Sequence, residues 1–360
     1  MQIQIPSIYN YIQSLSKTKA EPFACKKVPT GVPMEITEPC QIILGKDFYL
    51  NSRNSRITEG LATKDSITIG SDKSCNIQTS KFHDGIEKTH ITITKDNDKL
   101  FLTDNGITGE THIVSKENIK PFYKGTKDID LGQENVGDCY LLSTIRALSH
   151  SDWGANAIKE MVKIDKNGNY VVTFINQKPI TITIDELNGD KEKKSVSSEL
   201  GVKAIERAYA KLAKDNVAKS NMNFLNEGGN MSLALKLMTG LDSEKYYTSD
   251  KNLEIILNNI SQKGTNNFVL TCGTPNEGKH NGFVDKEKKF HTGHAYAIKS
   301  INNKDKTIEL INPHNTKTSQ TISWKEFKEI FKCIFVANVP NWFFTYQFFD
   351  LILKHQRCLK

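Results

Sequence analysis

A change of hydrophobic period near residue 139 constrains this chain's fold more than any other feature. From about 41 to 120 apolar residues come in short alternating or clustered runs: Ile42-Ile43-Leu44, Ser66-Ile67-Thr68-Ile69, His90-Ile91-Thr92-Ile93-Thr94 and Lys99-Leu100-Phe101-Leu102. Gly70-Ser71-Asp72, Asp96-Asn97-Asp98 and Asp104-Asn105-Gly106 separate them with turn chemistry. Short strands at such spacing predict a small all-β sandwich. From Cys139 the period becomes helical, with Leu141, Leu142, Ile145 and Leu148 on one face, and Ala157, Ile158, Met161 and Val162 suggest a second helix.

Further along, residues 169–174 and 179–184 read as a hairpin joined through Asn176-Gln177-Lys178. Residues 200–212 form a strongly periodic helix, and 231–238 another that ends before Thr239-Gly240. After about residue 265 strands return, at 267–271, 294–298, 307–311 and 319–322, with apolar helices at 324–331 and 341–354. The expected organisation is an N-terminal segment and linker over 1–40, a β-sandwich over 41–120, and an α+β domain over 121–340. That domain has a helical half at about 125–245 and a β-rich half at about 246–340; residues 341–360 end the chain as an apolar helix.

Composition excludes several function classes. The formal charge of +7 comes mostly from lysines spread along 360 residues. No basic arm or aromatic–basic alternation forms, so nucleic acid is not an expected partner. Seven cysteines, scattered and without a Cys-x-x-Cys pair, argue against a disulfide framework and against a zinc ribbon. No metal and no cofactor is expected, and reduced thiols point to a cytoplasmic setting. The N-terminus shows no signal peptide, which leaves export by another route open. No apolar stretch is long enough to span a membrane.

One segment carries chemistry. Gln133 precedes Cys139 by six residues, and Cys139 stands where a loop meets the helical pattern. The positive end of a helix favours a thiolate, and an upstream amide can donate to a developing oxyanion. A thiol nucleophile also needs a base and a group to orient it. His294 begins a strand-like run, Gly293-His294-Ala295-Tyr296-Ala297-Ile298, and a strand fixes an imidazole well. Asn312, in Ile311-Asn312-Pro313, lies at a strand end, where its carbonyl could accept from the imidazole Nδ1–H. Each residue alone has a bland reading: a buried thiol, a core histidine, a turn. Their order and their placement on opposite halves favour the catalytic one.

These blocks resemble the calpain-type cysteine proteases over about residues 123–335. Gln133-x-x-Val136-Gly137-Asp138-Cys139-Tyr140-Leu141-Leu142 resembles the family's nucleophile block, with Glu134 and Tyr140 where Gly and Trp are usual. Ile184-Asp185-Glu186-Leu187, Ala204-Ile205-Glu206-Arg207-Ala208-Tyr209-Ala210-Lys211-Leu212, Gly228-Gly229 before Gly240, Gly293-His294-Ala295-Tyr296 and Asn312-Pro313 follow in the family's order. The resemblance implies a papain-like α+β core acting on a protein substrate. In it Cys139 is the nucleophile, His294 the general base and acid, Asn312 the orienting group, and Gln133 with the Cys139 amide the oxyanion hole. A flap over 273–290 would gate the cleft. His314 stands where the family usually has Trp.

In animal calpains, calcium assembles this cleft. Gly125 and Asp130 match ligand-bearing positions of the first core site, but its partner carboxylate aligns with Leu233 or Lys236. A calcium site needs several oxygen ligands, so the expectation is activity without calcium. Upstream, Ile67-Thr68-Ile69-Gly70-Ser71, Ile86-Glu87-Lys88-Thr89-His90 and Asn105-Gly106 resemble a forkhead-associated domain, a phosphothreonine-reading sandwich. Ser71 replaces the family's Arg, and Glu87 replaces its Ser and would repel phosphate. A protein partner is therefore expected there more than a phosphopeptide. Two other readings stay open: a transglutaminase- or deamidase-like acyl transfer, and an inactive interaction protein.

Overall fold

A computed structural model of the chain describes residues 25–36, 40–45, 48–52, 55–79, 85–106, 111–115, 118–129, 131–133, 136–188, 199–216, 228–277, 283–285 and 287–340. The N-terminal segment before residue 25 and the helix expected over 341–354 lie outside these residues. The chain divides into two compact units, one of residues 1–123 with 164–169 and 183–191, the other of 124–163, 170–182 and 192–360.

The first unit is built from two sheets. Strands β1 (Cys25–Lys27), β2 (Met34–Ile36), β3 (Cys40–Leu44) and β4 (Phe48–Asn51) lead to helix α1 (Ser55–Thr63). Then come β5 (Ser66–Gly70), β6 (Ile77–Gln78), β7 (Ile91–Asp96), β8 (Lys99–Asp104) and β9 (Thr111–Ser115). One sheet runs β1-β9-β3-β4 and the other β2-β8-β7-β5-β6, antiparallel except for β5 with β6. The alternation along β5 and β7 turns Ile67, Ile69, Ile91 and Ile93 inward against Ile42, Leu44 and Leu50 of the other sheet, in one shared core. Two isoleucine-rich sheet faces that cannot stay in water thus make a sandwich.

The second unit opens with α2 (Cys139–Leu148) and α3 (Asp152–Met161), followed by β10 (Val162–Ile164), β11 (Tyr170–Val172) and β12 (Ile180–Ile182). The last two strands pair in register Tyr170 to Ile182, with Asn176 in the left-handed region at the turn. A short helix, α4 (Ile184–Asn188), clusters with the first unit, where Asp185 accepts from Arg56 at 2.8 Å. Helices α5 (Leu200–Asn216) and α6 (Met231–Thr239) complete the helical half. Asn230 caps α6 by accepting from the Ser232 amide, and Gly240 ends it in the left-handed conformation.

The β-rich half starts with β13 (Glu244–Tyr247), α7 (Leu253–Lys263) and a 3-10 turn (Thr265–Asn267). It continues with β14 (Phe268–Gly273), β15 (Phe283–Asp285), β16 (Phe290–His291), β17 (Ala295–Asn302), β18 (Thr307–Asn312), β19 (Asn315–Ser323), α8 (Trp324–Ile330) and β20 (Cys333–Asn338). Six of these strands form an antiparallel sheet in the order β13-β20-β14-β17-β18-β19. One core gathers Leu253, Leu257 and Ile260 of α7, Trp324 and Phe327 of α8, and Tyr296 and Ile298 of β17. A full capping box, Ser323 with Glu326, starts α8. Every residue of α2 is buried, and the helix packs on β14 and β17. That contact sets the nucleophile-bearing helix against the strand that begins after His294.

The flap expected over 273–290 is partly a structured hairpin of β15 with β16. Phe290 is fully buried and packs edge-on to Tyr296 and Phe331, which anchors the end of this segment in the core. An aromatic side chain of this size stabilises the fold more when buried than a free loop would allow. No described helix is long and apolar enough to cross a membrane.

Candidate active site

A cleft of about 500 Å³ in the second unit is lined by Gln133, Cys139 and His294 together. Cys139 is the first residue of α2, with Asp138 as N-cap. The amides of Leu141 and Leu142 point back to the Asp138 carbonyl, which closes the first turn of the helix under the thiol. Cys139 is 8% exposed, so only its sulfur edge reaches the cleft. Burial pushes its thiol up to about 11, against opposing backbone hydrogen bonds from Ala295, Tyr140 and its own amide.

His294 immediately precedes β17, and its amide donates to Thr274 Oγ1 at 2.9 Å. Thr274 in turn donates to the carbonyl of His291 at 2.7 Å, so the loop that carries the imidazole is tied at both ends. Asn312 ends β18, the hairpin partner of β17. This pairing brings the end of one strand beside the start of the other. His294 Nε2 donates to Asn312 Oδ1 at 2.9 Å. The ring nitrogen is therefore the opposite one from that expected from sequence. The strand fixes the backbone and the stack on His314 fixes the ring plane, while the bond to Asn312 requires a nitrogen at that edge. With the proton on Nε2, the free lone pair sits on Nδ1. Burial, followed by His314 and His291, lowers the His294 pKa to about 4, while the Asn312 hydrogen bond pulls the other way.

Gln133 is held from three sides. Its amide donates to the Pro313 carbonyl at 2.8 Å, its own carbonyl meets His314 Nδ1 at 2.9 Å, and its side-chain Nε2 donates to the Val136 carbonyl at 2.5 Å. Two residues earlier, Leu131 exchanges hydrogen bonds with Thr316 Oγ1 at 2.8 and 2.7 Å. A primary amide has two N–H groups, so the Val136 bond fixes the amide plane and leaves one donor for an oxyanion.

The structure adds contacts around the residues of these motifs. His314 was legible only as a departure from Pro-Trp; its ring lies parallel to His294, 10° apart with centroids at 4.9 Å. Asp138 is fully buried, and burial first, then the neighbouring Glu206, push its carboxyl well above the usual range. Gly229 lines the cleft where a Cβ would fall 2.4 Å from the Tyr140 ring, so only glycine fits.

Gly125 has a positive φ, Asp130 lies outside the described residues, and Leu233 is exposed. The Lys236 ammonium pairs with Asp242 at 2.7 Å.

In the first unit, the expected ligand loops are knitted to one another. Ser71 N–H donates to the Glu87 carbonyl at 2.9 Å, and Glu87 N–H donates to Nδ1 of buried His90 at 3.1 Å. Gly70 has no room for a Cβ, which would fall 2.1 Å from the Lys88 carbonyl.

A family model described as FHA domain matches residues 67–132, a domain type that points to protein–protein interaction. No curated protein matches the chain. The family model for calpain family cysteine proteases matches residues 110–337, more than half of the chain and all of the cleft. The chain belongs to the calpain family of cysteine proteases.

Proposed function

We propose that this chain is a cysteine endopeptidase in which Cys139, His294 and Asn312 act as a triad and Gln133 completes the oxyanion hole. The observation that carries the reading is the 2.9 Å bond from His294 Nε2 to Asn312 Oδ1, in the cleft that also holds Cys139 and Gln133. Asn312 holds the imidazole in the tautomer whose Nδ1 can take a proton. As Cys139 Sγ attacks the scissile carbonyl carbon, its proton passes to His294. The carbonyl oxygen becomes an oxyanion, which accepts from Gln133 Nε2–H and the Cys139 amide. The C–N bond then breaks, His294 returns the proton to the leaving amine, and a thioester remains. Water attacks the thioester with His294 again as base, which releases the acid and restores the thiol.

Leu233 and the engaged Lys236 support activity without calcium. The FHA domain is the surface for a protein partner, and Glu87 beside Ser71 disfavours a phosphothreonine ligand. To test the reading, a proteome is treated with wild type or Cys139→Ser, each in calcium chelator and in calcium. New N-termini should appear with wild type alone and equally in both conditions. Equal cleavage by Cys139→Ser would overturn the nucleophile, and cleavage only with calcium would overturn the calcium independence.

A further inference from the structure

Next to His294 the cleft forms a subsite with an unusual charge. Gly273 forms its wall: the place where a Cβ would stand is 3.4 Å from Met231 Cε, 3.8 Å from Cys333 Sγ and 4.0 Å from the His294 carbonyl. The strand register extends this wall into a sheet face. Gly273 pairs with Cys333 across β14 and β20, Cys333 with Tyr247 and Phe335 with Lys245 across β20 and β13. Residues paired this way point to the same side. The floor is therefore Met231, Cys333 and Phe335, all lining the cleft.

Two lysines, Lys245 and Lys332, line the same cleft as this floor. Lys245 Nζ lies 4.6 Å above the Tyr247 ring and 5.6 Å from the Phe335 ring, which hold it across the face. Lys332 begins the turn into β20, its amide bonded to the Gly273 carbonyl at 2.8 Å. Burial pushes the Cys333 thiol up, and the charges of Lys245 and Lys332 act against that shift. Among the described residues lining the cleft there is no aspartate or glutamate. Nor does either lysine have a carboxylate partner among the described residues.

We propose that this subsite selects a glutamate side chain of the substrate, its methylenes against Met231 and Cys333 and its carboxylate between Lys245 and Lys332. The proposal rests on the peptidase reading above and deepens it into a preference for acidic peptides. A neutral residue of the same shape fills the floor but leaves both cations without their counter-charge, and a lysine is repelled.

The test uses the full chain and N-acetylated, C-amidated quenched-fluorescent peptides. Each of the four residues ahead of the scissile bond is varied through Glu, Gln, Leu and Lys. At one position kcat/KM should favour Glu over Gln by about tenfold, the value of one charge-assisted hydrogen bond. The preference should shrink at high salt. The double variant Lys245→Glu/Lys332→Glu should reverse the order, with Lys ahead of Glu. Binding of the Glu and Gln peptides to Cys139→Ala, read by fluorescence polarisation, gives the same comparison without turnover. Equal kcat/KM for Glu and Gln at all four positions, or an unchanged order in the double variant, overturns the subsite and leaves the peptidase standing. Glu-selective binding without any hydrolysis by wild type supports the subsite and overturns the peptidase.

Discussion

His314 and His294 stack face to face, 4.9 Å apart, and the same residue reaches both Asn312 and Gln133. Its amide donates to Asn312 Oδ1 at 3.0 Å, and its Nδ1 meets the Gln133 carbonyl at 2.9 Å. One residue, through its backbone and its ring, thereby ties Asn312 to the loop of Gln133. His314→Ala keeps the backbone bond but removes the ring. We expect kcat to fall about tenfold with KM little changed, since a hydrogen bond and a stacked ring are lost from groups that act in the transition state. His314→Trp should restore the stacking in part, without the Gln133 bond. Steady-state kinetics of the two variants on one peptide decides this; a change confined to KM would contradict it.

Cys139 and His294 are each expected to be neutral near pH 7. Burial sets the thiol at about 11 and the imidazole at about 4, so near neutral pH neither group is charged. Difference absorbance of wild type against Cys139→Ser should show no thiolate signal at pH 7, and iodoacetamide should label Cys139 faster as pH rises. A thiolate signal persisting down to pH 4 would contradict the neutral pair.

The same shift predicts how stability depends on pH. A depressed histidine is protonated first in the unfolded chain, near its ordinary value of 6.5, while folded His294 and His150 resist down to about 4. Their contribution is complete above 6.5 and is lost as pH falls through that window. Denaturant unfolding should show a lower unfolding free energy at pH 4.5 than at pH 7. His294→Phe should flatten part of this slope, and an unchanged slope in that variant would count against the assignment.

Asp138 acts with the opposite sign. Its raised pKa means that the unfolded chain ionises first as pH rises past about 3.8, so the carboxyl costs stability at neutral pH. Asp138→Asn, which keeps the shape without the acid, should be more stable than wild type at pH 7 and equal to it at pH 3. Thermal melts at the two pH values check this, and a destabilised Asp138→Asn at pH 7 would show that the carboxyl is ionised and paired.

Gly229 should tolerate no side chain. Gly229→Ala puts a Cβ at 2.4 Å from the Tyr140 ring, next to the nucleophile, and overpacking of this kind costs about 1–3 kcal/mol. Both the melting temperature and kcat/KM should drop, and Tyr140→Leu in the same chain should recover part of the loss. An active, equally stable Gly229→Ala would show that the Tyr140 ring is free to move.

Which parts of this were legible in the sequence follows from locality. Cys139, His294 and Asn312 announce themselves by residue type, order and flanking pattern. The strands β5 and β7 do so by strict alternation. The central strand β20 was missed because a continuous apolar run with no alternation lacks a period. Helix α7 was missed although Leu253, Leu257 and Ile260 stand at helical spacing, since its asparagines weaken the signal. The Nε2 choice at His294 and the bond from His314 to Gln133 depend on contacts between residues far apart in the chain, 181 positions in the second case. No local pattern records them. Nor could the sequence show that Lys245 lies across from Phe335, because only the register of β13 with β20 brings them together.

The central claim is that Cys139 is the nucleophile, served by His294. An epoxysuccinyl peptide, which alkylates activated cysteines, tests it most directly when followed by peptide mapping in a mass spectrometer. The account predicts one adduct, on Cys139, absent in Cys139→Ser and strongly slowed in His294→Ala. Continued peptide cleavage by a protein whose Cys139 stays unmodified, or an adduct on another cysteine that abolishes activity, would contradict it.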